Sequence, residues 1–126
     1  ILNWQPPGQV RVDHGIQTGQ MVSPFYDPML AKVIAHGSDR ETARRKLICA
    51  LEDMKLLGVK HNQHFLNQIL KEPAFAEGQA TTAFLDQHFT DNAFYPSEDV
   101  LLKSSALAAL LFFHLENPGH DKRKVW

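Results

Sequence analysis

The sequence predicts an α+β domain: a small antiparallel sheet packed with helices, followed by a C-terminal helical extension. Three observations carry this. Several short stretches alternate between apolar and polar residues and are separated by turns too short for crossovers, which favours antiparallel pairing. Longer stretches repeat apolar residues at helical spacing. Finally, a proline-punctuated turn, SPFYDPML at Ser23–Leu30, feeds directly into an alternating segment.

The elements run in order. Ile1–Trp4 reads as a short strand closed by Pro6-Pro7-Gly8. In Val10–Asp13 the two valines share one face, and Arg11 and Asp13 share the other. Gln20–Val22 is a further candidate for pairing. From Leu30 to His36, Leu30, Lys32, Ile34 and His36 alternate with Ala31, Val33 and Ala35. Ser38-Asp39-Arg40-Glu41 reads as a capping box, with Ser38 accepting from the third helical amide and Glu41 reaching back. Ala43, Leu47, Ala50, Leu51 and Met54 then mark one apolar helix face, and Gly58 supplies a left-handed terminator. This reading places Met54-Lys55 inside the helix. A second helix has Asn62 as its N-cap and Phe65, Leu66, Ile69 and Leu70 as its stripe, with Pro73 as its stop. Phe75–Gly78 reads as a turn, and Thr81-Thr82 caps a short helix carrying Phe84, Leu85 and Phe89. Asp91–Ser97 is a connector. The last helix starts after Pro96-Ser97, with Glu98 and Asp99 at the positive end of its dipole, and runs to about Leu115. The residues from His120 to Trp126 are basic and expected to fray.

Composition limits the function. The chain has 126 residues and a formal net charge of −1, against the basic excess of a nucleic-acid binder. Its single cysteine, Cys49, cannot form an internal disulfide and reads as a small packing residue. The longest apolar run, Val100–Leu115, includes Lys103 and two serines and is shorter than the roughly twenty apolar residues of a spanning helix. No membrane segment is expected. The last helix is apolar nearly all round, which implies contact with more protein. The sequence opens without Met on a strand-like stretch, so it is expected to begin inside a larger polypeptide.

Taken residue by residue, the chemistry is sparse. Arg11 beside Asp13 reads either as a structural salt bridge or as a stiffly mounted guanidinium suited to a carboxylate, bicarbonate or enolate oxygen. His61 and His64 could share a helix face, but no third ligand comes after them at a typical spacing, so no metal site is expected. The basic run Arg40–Lys46 reads as a solvated helix face.

Three stretches carry a resemblance. VRVDHGI at Val10–Ile16, SPFYDPMLAKVIAHG at Ser23–Gly37 and DRETARRKLICALEDMKLLGVKHNQHFL at Asp39–Leu66 closely resemble the C-terminal subdomain of biotin carboxylases, and GQATTAFLDQHF at Gly78–Phe89 fits the same family. His14 stands where serine is common, and His61 precedes Asn62 where threonine is common. The resemblance covers residues 1–89. It leaves 90–126 as a helical linker similar to the region after the carboxylase domain in α subunits of propionyl-, methylcrotonyl- and geranyl-CoA carboxylases.

The resemblance implies an ATP-dependent ligase that carboxylates carrier-bound biotin from bicarbonate, with ATP and Mg as further cofactors. It implies that Arg11 is the catalytic group holding bicarbonate and stabilising the biotin enolate, with Asp13 as its positioning partner. Implied partners are the remainder of the carboxylase domain, the biotinyl carrier domain, the carboxyltransferase β subunit and a second copy through residues 32–45. The implied compartment is cytoplasmic, or the mitochondrial matrix in a eukaryote. The family's ATP-grasp machinery falls outside these motifs, so this chain alone is expected to be inactive. The alternative is a non-catalytic assembly module of carboxylase-like fold.

Overall fold

The computed structural model describes residues 1–89 and 95–116. Its elements run β1 (Asn3–Gln5), β2 (Arg11–His14), β3 (Ala31–Ile34), α1 (Arg40–Asp53), β4 (Lys55–Leu57), α2 (Gln63–Lys71), α3 (Pro73–Ala76), α4 (Phe84–His88) and α5 (Glu98–Glu116). By backbone contacts the chain divides into two units, Ile1–Thr90 and Asp91–Trp126.

The α+β class with short antiparallel strands is as expected, but the strands pair differently. They form two separate ribbons, β1 with β4 and β2 with β3. Trp4 stands opposite Leu56, and Val12 opposite Val33. The alternation read from Ala31 to His36 is present: Ala31, Val33 and Ala35 are half-buried, and Lys32, Ile34 and His36 are exposed. Gln20–Val22 forms no strand. Instead, the amino group of Ile1 donates to the Gln20 carbonyl at 2.7 Å.

The end of α1 is the main correction. The helix stops at Asp53, and Met54 is already extended, at φ −66° and ψ 131°. Lys55 therefore lies in β4, not within the helix. Two long-range forces override the helical pattern here. Leu56 is buried while β4 pairs with β1. Gln63, from the start of α2, donates its side-chain amide to the Leu51 carbonyl and, at 2.9 Å, to that of Met54. Gly58 supplies positive φ, at 87°, but it turns the chain after β4. A Cβ there would stand 2.6 Å from Leu2 Cγ.

The caps also differ from the sequence reading. Asp39, not Ser38, caps α1, its carboxylate accepting from the Thr42 amide at 2.7 Å. Backbone and hydroxyl hydrogen bonds hold that carboxyl below its usual range. Glu41 turns away to pair with Arg44 and Arg45. Asn62 occupies the N-cap of α2 without a side-chain bond. The second helix ends at Lys71, and Pro73 opens α3, so Phe75 and Ala76 are helical. Ala83, not a threonine, precedes α4.

The core of the first unit is small: Ile16, Ala50, Leu51, Leu56, Phe65, Leu70 and Phe84. Phe84 meets Phe89 edge-on at 5.8 Å and lies 6.2 Å from Phe75. Side chains bolt α1 to α2 and α3. Arg44 donates to the Leu70 carbonyl at 2.5 Å and to Glu41, and Arg40 reaches the Phe75 carbonyl while lying over its ring. With a side chain only 16% exposed, Arg44 is not part of a solvated face, contrary to the reading of Arg40–Lys46. Cys49 is exposed and is not a packing residue.

In the second unit, α5 matches the last helix, and Lys103 pairs with Asp99 one turn earlier at 2.7 Å. Its apolar side chains are exposed around the helix, including Leu101, Leu102, Leu107, Leu110 and Phe112. Among the described residues, no helix is long and apolar enough to cross a membrane. The expectations for Asp91–Phe94 and for residues 117–126 lie outside the described residues.

Candidate functional site: a charged face on the β2–β3 ribbon

The β2–β3 ribbon positions the candidate site. Its register pairs Arg11 with Ile34 and Asp13 with Lys32. Residues two apart on a strand, and residues directly opposite across an antiparallel pair, share a face. Arg11, Asp13, Lys32 and Ile34 therefore line one face, and all four are exposed. Val12 and Val33 face the other way.

The Arg11 guanidinium is held by Asp13 through two parallel bonds, Nε to Oδ1 at 2.8 Å and Nη2 to Oδ2 at 2.9 Å. This fork-to-fork geometry fixes the plane and direction of the guanidinium. The side chains remain 72% and 45% exposed, so the pair is open to an incoming ligand. Hydrogen bonding to Asp13 pushes the Arg11 pKa up. Hydrogen bonding to Arg11, followed by the charges of Arg11 and Lys32, holds the Asp13 carboxyl below its usual range against a desolvation effect of opposite sign.

A cavity of about 750 Å³ lies elsewhere. It is walled by Trp4, Leu47, Leu51, Met54 and Ile69 and reaches Ala31 and Val33 on the inward face of β3. Its lining is mainly apolar, and Arg11 and Asp13 are not part of it. Next to it, the segment before β3 exposes Met21, Phe25, Tyr26 and Met29.

Two of the histidines are engaged locally. His61 Nε2 lies 3.0 Å from the Leu56 carbonyl, and His14 Nδ1 lies 3.1 Å from that of Ile16 while its ring meets Trp4 edge-on. Among the described residues, no three His, Cys, Asp or Glu side chains converge as metal ligands. Arg11 fits an anionic oxygen.

Both residues singled out from sequence, Arg11 and Asp13, are thus in direct contact. Lys32 joins their face only through the strand register, for which the sequence carries no local signal.

Comparison with known proteins gives a uniform result. Residues 1–87 match the family model described as the biotin carboxylase C-terminal domain. The chain is 41% identical over 85 residues to the human mitochondrial propionyl-CoA carboxylase alpha chain, covering 68% of this chain and 12% of that protein. It is 40% identical over 84 residues to a biotin carboxylase of Halalkalibacterium halodurans, covering 66% of this chain and 19% of that one. Among solved structures, the biotin carboxylase domain dimer of Hydrogenobacter thermophilus 2-oxoglutarate carboxylase, in complex with MgADP, ADP and bicarbonate, superposes with a TM-score of 0.69 at 32% identity. That match covers 75% of this chain and 21% of that one. The chain therefore spans less than a fifth of the length of these curated relatives.

Proposed function

This chain belongs to the biotin carboxylase C-terminal domain family, and we propose that it supplies the Arg11 anion site of a biotin carboxylase acting within an acyl-CoA carboxylase α chain. The observation that carries the reading is a rigidly forked, exposed guanidinium on a strand inside the matched region. A preorganised cation stabilises negative charge where it develops, without having to reorient at that moment. Arg11 would hold anionic oxygens of bicarbonate and of carrier-held biotin, with Asp13 setting its orientation. ATP and magnesium would bind to other parts of the enzyme; among the described residues no three His, Cys, Asp or Glu side chains converge as metal ligands.

Two features support the α-chain context. The match to the pig propionyl-CoA carboxylase alpha chain covers 84% of this chain, so it necessarily runs into α5, beyond the residues of the family model. The open apolar cavity and the exposed Met21, Phe25, Tyr26 and Met29 suit a surface covered by the rest of a carboxylase domain. In this reading residues 1–89 form the carboxylase subdomain, and 90–126 lead toward the carboxyltransferase-contacting region. The biotinyl carrier domain and the carboxyltransferase subunit are partners, and a second copy docks through residues 32–45. In that segment Arg40, Arg44 and Arg45 are engaged within the chain, which leaves Lys32, Ile34 and His36 to meet another copy. The compartment follows the relatives, which include mitochondrial and bacterial enzymes.

The test is Arg11→Ala in the full-length carboxylase. Carboxylation should fall about 10²- to 10³-fold, the scale for removing one preorganised charge-stabilising donor, while ATP binding persists. Unchanged turnover refutes the assignment and leaves the assembly-module reading. The isolated chain should show no ATP-dependent carboxylation of free biotin.

A further inference from the structure

We draw no further inference here: the strongest candidate, the apolar cavity between the inward face of β3 and helices α1 and α2, walled in part by Trp4, Val33, Leu47 and Ile69, belongs to the surface already assigned to the rest of the carboxylase domain, and nothing in the structure shows another occupant for it.

Discussion

The Ile1–Thr90 unit and helix α5 handle apolar residues in opposite ways. In the first, α1 buries one stripe, with Leu51 4% exposed, sends directed bonds from Arg40 and Arg44 to the carbonyls of other elements, and receives one at its C-terminal end from Gln63 of α2. In α5 the apolar residues surround the axis, and the polar pairing seen among the described residues is an exposed turn-to-turn ion pair, Lys103 to Asp99. Pairs of that kind contribute little, about 0.3–0.5 kcal/mol. The contrast shows that helical periodicity alone does not tell what a helix is for. A one-sided stripe is packed within its own unit, whereas an all-round apolar surface is built for a neighbour.

The sharpest way to break this contrast is to empty the small core. Phe84→Ala should destabilise the first unit by about 3–5 kcal/mol, read by denaturant titration, because Phe84 joins Phe75, His88 and Phe89 in one aromatic cluster. A loss below about 1 kcal/mol would show that this unit, too, waits for a partner. Next comes the turn after β4. Gly58→Ala should cost about 1–2 kcal/mol for left-handed backbone alone, with the Leu2 contact adding to it. The thermal midpoint should drop accordingly.

A smaller effect tests the arginine bolts through pH. Hydrogen bonds from Arg44, then from Arg45, hold the Glu41 carboxyl down at about 2. The folded pKa lies below the ordinary carboxylate value, so this stabilisation is complete above pH of about 4.5 and is lost as pH falls toward about 2. Glu41→Gln should flatten the acid limb of the stability curve over that window and leave its shape near neutrality unchanged. The smallest effect belongs to α5. Leu110→Gln, at a residue 66% exposed, should change the stability of the isolated chain by less than about 0.5 kcal/mol. A larger loss would mean that this surface is covered in solution.

Residues with local signals were legible from the sequence. Alternation gave the face shared by Arg11 and Asp13, and the apolar stripe located α1. Other details depended on which of several neighbouring polar groups paired. Asp39 took the cap expected of Ser38, and Glu41 paired with Arg44 and Arg45 one turn along the same helix. Cys49 sits on an exposed part of α1 although its neighbour Ala50 is buried.

Chain-local chemistry thus decided the fold class, helices α1, α2, α4 and α5 and the Arg11–Asp13 pair, because turns, strand alternation and helical repeats act over a few residues. Only the folded arrangement ended α1 at Asp53, paired β1 with β4 and set Lys32 opposite Asp13. Each of these depends on which distant strand or side chain arrives, and no short stretch encodes that.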